Sequence, residues 1–164
     1  MTTRRSCRWL LFATALSLAA CSAKAEYIGT TKIERSSENE DIIKRLEEYR
    51  LAVEQKDAGK LLSMASKEYW EDSGTPTGAD DYGYDQLREV LAGRFQSGRS
   101  IRYSVRYVKI NRRGDRAYVD LLIDASYSVD DARGREVRED KRDQNQIVLS
   151  WDENRKSWLF LSGY

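Results

Sequence analysis

The chain has 164 residues, of which 28 are basic and 27 acidic, with a formal net charge of +1, no histidine and two cysteines. That length supports one domain with a real core, and the balanced charge excludes a general polyanion binder. The missing histidine removes the one side chain that titrates near neutrality unaided and the commonest metal ligand, so acid or base chemistry falls to a carboxylate or a tyrosine shifted by its surroundings.

The front of the chain carries Arg4, Arg5 and Arg8, an apolar run from Trp9 to Ala19, and then Leu18-Ala19-Ala20-Cys21. The run is too short to cross a bilayer as a helix and has the layout of a secretory leader. The tetrapeptide resembles the lipobox of a bacterial lipoprotein signal peptide. That resemblance implies cleavage before Cys21, acylation of its thiol and its freed amine, and a stable membrane anchor, since two membrane signals already suffice. Ser22 stands where lipoproteins retained in the inner membrane of many Gram-negative bacteria carry aspartate, which implies an outer-membrane, periplasm-facing address. Residues 1–20 are read as the signal peptide, 21–36 as the lipidated N terminus and a flexible tether, and 37–164 as the domain. With Cys7 lost and Cys21 acylated, no thiol remains for a disulfide, a metal site or a nucleophile.

Ser37-Glu38-Asn39-Glu40 fits a capping box and predicts a helix from Ser37, with Ile42, Ile43, Leu46, Tyr49 and Val53 on one face to about Gln55. Asp57 caps a shorter second helix containing Leu61, Leu62 and Met64. Gly74, Pro76, Gly78 and Gly83 then break regularity in a loop rich in acids, before a third helix with Leu87, Val90, Leu91 and Phe95 that stops near Gly98.

From Ser100 the period changes to two. Ile101, Tyr103, Val105 and Tyr107 share one face of a first strand, and Ala117, Val119, Leu121, Ile123, Ala125 and Tyr127 share one face of a second. A three-residue loop, Arg112-Arg113-Gly114, would join them. Symmetric pairing about it sets Arg106 against Asp120 and Arg102 against Asp124 on the outer face, as structural ion pairs. Arg135 to Trp151 reads as a third strand without clean alternation over Glu136 to Asp143, and Ser157 to Tyr164 as a last one with Trp158 and Phe160.

Three helices followed by a long four-stranded antiparallel meander resemble the nuclear-transport-factor-2-like, or cystatin-like, cone found also in ketosteroid isomerases and polyketide cyclases. The residues behind the likeness are the first helix running into Lys56-Asp57-Ala58-Gly59-Lys60-Leu61-Leu62, the Tyr69-Trp70 pair, and the strand closing on Trp151 before Trp158. The expected class is α+β: three N-terminal helices packed on a curved four-stranded antiparallel sheet, with a cavity at its open end. Fold analogy does not assign chemistry.

The reading that follows is a lipid-anchored periplasmic binding or assembly module of the cell envelope, without catalytic residues, metal or cofactor. Its expected partners are the membrane, an envelope protein or a small apolar or cationic ligand, and a second copy of itself, but not nucleic acid. The basic run Arg94 to Arg116 is offset by acids on the neighbouring strand. Ligand or partner contacts are sought at Tyr69, Trp70, Asp72, Asp80, Asp81, Tyr82 and Tyr84 of the acidic aromatic loop, whose acid spacing is not that of a calcium loop. They are also sought at Tyr103 and Tyr107, with Tyr127 and Gln144 or Gln146 beside them. The rival is an isomerase or cyclase type of enzyme, with Tyr103 or Tyr107 as donor and an inward acid such as Asp72 or Asp85 as base.

Overall fold

The structure, a computed structural model, describes residues 26–96, 98–130 and 133–164. The leader, Cys21 and the first part of the tether lie outside the described residues. Three helices, α1 (Ser37–Glu54), α2 (Ala58–Met64) and α3 (Tyr84–Gln96), pack on a sheet of β3 (Gly98–Arg113), β4 (Arg116–Asp130), β5 (Glu136–Asp152) and β6 (Ser157–Ser162) in the order β3-β4-β5-β6. All its pairings are antiparallel. The predicted α+β architecture is the one observed. A two-stranded ribbon, β1 (Trp70–Glu71) with β2 (Tyr82–Gly83), closes the acidic loop into a hairpin-like excursion that composition alone did not reveal.

The N-cap of α1 is Ser36, one residue before the predicted Ser37: the Ser36 hydroxyl accepts from Asn39 N at 3.2 Å. Glu40 does not reach back to close the capping box; it pairs with Arg35 at 2.7 Å. The second half of the stretch read as tether is tied to the domain. Tyr27 bridges Glu34, Ile33 is buried, and Asn39 Nδ2 donates to the Glu34 carbonyl at 2.9 Å. Asp57 caps α2 as expected, accepting from Lys60 N at 2.8 Å.

The core lies between the helices and the inner sheet face. Ile42, Leu46 and Tyr49 of α1, Leu61 and Met64 of α2 and Leu87 of α3 meet Val119, Leu121, Ile147, Leu149 and Phe160. The alternation on β4 is as predicted, with Ala117, Val119, Leu121, Ile123 and Ala125 all buried.

The hairpin differs from the predicted one. Arg113 pairs with Arg116 across a two-residue loop, Gly114-Asp115, with Gly114 at φ +62°. Val108 then bulges out of β3, with nothing opposite it between Tyr107↔Leu121 and Lys109↔Asp120. The two changes slide the register, so the predicted pairs Arg106 with Asp120 and Arg102 with Asp124 do not form. Arg106 and Arg142 share Asp124 instead, Arg106 at 3.6 Å, while Asp120 accepts from Gln146 Nε2 at 2.7 Å and Arg102 stands opposite Ser126. The prediction that Asp120 and Asp124 point away from the core holds, because both alternate with buried β4 residues.

Each margin of the sheet has backbone groups engaged by the helices or loops. On β3, Tyr103 N donates to Glu54 Oε1 at 2.9 Å and the Tyr103 carbonyl accepts from Arg50 at 3.4 Å. On β6, the Trp158 carbonyl accepts from Arg45 Nε at 2.9 Å and the Phe160 carbonyl from Ser66 N at 2.8 Å.

Candidate functional site

A cavity of about 520 Å³ opens between the helices and the distal half of the sheet. Its floor is apolar, from Leu61, Leu91, Phe95, Ile101, Ile123 and Ala125. Four tyrosines, Tyr49, Tyr103, Tyr127 and Tyr164, stand around this floor. The wall opposite the helices comes from β5, where Glu139, Lys141, Asp143 and Asn145 are every second residue and so share one face. Each lies opposite an inward β4 residue: Tyr127, Ala125, Ile123 and Leu121 respectively.

This phase of β5 reverses one expectation. Gln144 and Gln146 face outward, and Asn145 takes the inward place, its Nδ2 donating to the Gly163 carbonyl at 3.2 Å. The unresolved alternation in the sequence has a physical reason. The inward face of the distal strand is ionic because it borders an opening, not a packed core.

Tyr103 is buried against Tyr49, the rings meeting edge to face at 6.1 Å. Burial pushes its phenol up to about 12, with Tyr127 and Asp143 acting in the same direction and Tyr49 and Arg94 against it. Tyr49 and Tyr164 are raised too, in both cases chiefly by burial. All three phenols are therefore protonated, neutral donors. The Tyr164 hydroxyl donates to the Leu61 carbonyl at 2.8 Å, which fixes that wall.

Asp143 is held below the usual carboxylate range by its hydrogen bond with Lys141 and by Gln144 N, 2.8 Å away. Lys141 lies 3.2 Å from it, and the Asp143 side chain is 51% exposed. Such a carboxylate is ionised and weakly basic, the opposite of a desolvated general base. Among the described residues no charged side chain is buried. Arg94 of α3 reaches from the rim to the Tyr164 carbonyl at 3.0 Å and the Tyr82 hydroxyl at 3.1 Å.

The other predicted site residues do not join this cavity. Tyr107 is on the same strand as Tyr103, but its hydroxyl donates to Glu47 of α1, and it takes no part in the lining. Tyr69 is core: its hydroxyl donates to Glu71, whose Oε2 also accepts Gly163 N at 2.7 Å and so clamps the last residues onto the domain. Tyr82 is buried beside it, their ring centroids 6.2 Å apart. Trp70 is 56% exposed and Tyr84 carries the Lys67 ammonium on its ring face.

The acids of the loop turn inward on the loop itself. Asp72 accepts from Gly74 N at 2.9 Å, Asp81 from Ser73 N at 3.3 Å, and Asp80 from the Thr75 hydroxyl. Asp72 and Asp85 are exposed and neither lines the cavity, so the base proposed for the enzyme reading is absent from where the tyrosine donor stands. Among the described residues no group of three or more acids or thiols converges to hold a metal.

No family model and no curated protein matches the sequence. Solved structures do resemble it in three dimensions. A conserved protein from Planctomyces limnophilus superposes with a TM-score of 0.66 at 14% identity, over 79% of this chain and 94% of that one. A ketosteroid isomerase-like protein from Erwinia carotovora atroseptica gives 0.63 at 16% identity, over 79% and 95%. A candidate dehydratase of the NTF2-like family from Streptomyces avermitilis gives 0.63 at 14%, over 76% and 92%. Likeness at such identities is likeness of backbone path, and it shows that the described domain has the NTF2-like cone fold.

Proposed function

We propose that the chain is a lipid-anchored envelope protein whose cone holds a small molecule without converting it. The observation that carries the binding part is the cavity of about 520 Å³, with an apolar floor, four tyrosines and an ionic rim. That volume lies within the range of small-ligand pockets, and apolar lining with a few placed polar groups is their usual composition. The chemistry of the rim favours holding over turnover. The Tyr49, Tyr103 and Tyr164 phenols are raised and Asp143 is lowered, so none of these four is poised to exchange a proton near neutrality.

Binding is tested by titrating the protein with 1-naphthalenemethanol, a neutral aromatic probe, in a calorimeter. Wild-type protein is expected to bind it, and Ala125→Phe, which fills the floor, is expected to abolish binding while far-ultraviolet circular dichroism stays unchanged. Binding unaffected by the bulky side chain would place the probe elsewhere.

The anchor rests on Arg4, Arg5, Arg8, the apolar run and Leu18-Ala19-Ala20-Cys21. Cys21→Ser is expected to stop acylation and shift the protein from the membrane fraction; unchanged fractionation would remove the anchor from the proposal.

A second reading has one observation in its favour: Asp143 and Tyr103 line the same cavity and act on each other electrostatically. The dehydratase and isomerase-like names among the structural neighbours fit it equally. Turnover of a metabolite that Asp143→Asn abolishes would establish it.

A further inference from the structure

We infer that the ligand of the cone is an organic cation, its ammonium group seated against Glu139 with Tyr127 and Tyr103 on its flanks. The inference rests on the binding reading above and narrows it to a chemical class. It begins with the charges on the wall. Four ionic side chains line the cavity, Arg94, Glu139, Lys141 and Asp143. Lys141 is 3.2 Å from Asp143 and occupied by it. Arg94 donates to the Tyr164 carbonyl and the Tyr82 hydroxyl. Glu139 differs: its side chain makes no hydrogen bond or ion pair with any described residue.

The surroundings of Glu139 are aromatic. It sits directly across the β4–β5 ladder from Tyr127. Cross-strand partners on one face bring their Cβ atoms to about 5 Å, so the phenol ring and the carboxylate share one corner of the wall. Tyr103 pairs with Ala125, two residues before Tyr127 on the same face, which makes the two tyrosines diagonal neighbours. Tyr127 also acts electrostatically on the Tyr103 phenol.

A carboxylate beside aromatic rings is the arrangement that recognises an ammonium. The rings attract a cation through their quadrupole, and the carboxylate supplies a full opposite charge. The same arrangement disfavours an anion. From this corner the apolar floor of Ile101, Ile123 and Leu91 runs inward, room for a hydrocarbon or aromatic body attached to the charged head. The second acid, Asp143, is four residues along the strand, about 13 Å away, and already neutralised by Lys141, so one head group is preferred at one place.

The test compares three probes of one shape on the full chain: (1-naphthylmethyl)trimethylammonium, 1-naphthalenemethanol and 1-naphthalenesulfonate, each titrated calorimetrically. The cation is expected to bind about tenfold more tightly than the neutral alcohol, the ratio that a carboxylate with cation–π contacts supplies at a half-open site. Glu139→Gln should bring the cation's affinity down to that of the alcohol, and Asp143→Asn should preserve most of the preference. If the alcohol binds but the cation gains nothing, or the anion binds best, the cation inference is overturned while the cavity reading stands. An undiminished preference in Glu139→Gln overturns it likewise. If neither alcohol nor cation binds, the cavity reading itself fails.

Discussion

Phe160→Ala is expected to cost about 3–5 kcal/mol, the range found when a fully buried aromatic ring is truncated and its surroundings cannot collapse. Phe160 is completely buried in β6, among the largest fully buried side chains of the core. Its ring lies 5.1 Å from Tyr49 and 4.9 Å from Tyr164, and Leu149 of β5 is its cross-strand partner. Its backbone is fixed as well, because its carbonyl accepts Ser66 N and thereby joins the exit of α2 to the sheet. Removing the ring leaves a void where three elements meet, and the rigid tyrosines cannot fold into it. A domain of this size has a total stability of about 5–15 kcal/mol, so the loss is a large share of it. Urea unfolding followed by tryptophan fluorescence reads the change, and Phe160→Leu provides a smaller truncation for comparison. A shift under about 1 kcal/mol for alanine would mean that the core is less tightly packed than the ring contacts imply.

Gly163→Ala is expected to damage stability and ligand binding together. Gly163 has φ +97°, a conformation L side chains rarely adopt, and a Cβ there would come within 2.7 Å of the Gln146 carbonyl oxygen and 2.9 Å of Ile147 Cα. Both obstacles are backbone of β5 and cannot swing aside. The residue is held in this pose from two sides, its N–H donated to Glu71 and its carbonyl accepting from Asn145. The strained conformation alone costs roughly 1–3 kcal/mol. The clash adds displacement of Tyr164, which forms part of the cavity wall and stacks on Tyr49 at 5.2 Å. Gly114→Ala is the control: φ is +62° but nothing lies within 4 Å of its Cβ, so only the left-handed penalty of roughly 1–2 kcal/mol remains. Gly163→Ala should exceed Gly114→Ala in thermal denaturation and weaken naphthalenemethanol binding, which Gly114→Ala should leave alone. Equal effects would show that Gly163 and Tyr164 move aside freely.

Much of the fold was legible in the sequence because each element states one period. The i, i+3, i+4 spacing in α1 and the strict alternation of Ala117 through Ala125 both read directly. Two features were not. The bulge at Val108 has no local marker, since an apolar residue in a β-rich run looks like one more strand position, and it decided which arginine meets which aspartate. In β5, Glu139, Lys141 and Asp143 face in while Arg138, Asp140 and Arg142 face out, so neither phase is apolar and no face can be chosen by hydrophobicity. That is why the cavity wall was missed and the glutamines were placed on it. Tyr103 was recovered because it shares its face with Ile101; Tyr107 was not separable from it, since its turn toward Glu47 depends on where α1 lies. The loop acids drew notice by their density and by the aromatics among them, a pattern that self-capping turns produce as well.

The engaged groups at the sheet margins bear on how the molecule behaves among its own copies. Where a bare outer strand would invite a stranger's amides to dock in line and propagate a fibre, one edge here presents a guanidinium and a carboxylate already engaged at Tyr103, and the other presents loop and arginine donors already engaged at Trp158 and Phe160. A neighbouring molecule that tried to line up at Tyr103, Trp158 or Phe160 would first have to displace those partners, so lateral pairing is opposed at these three places.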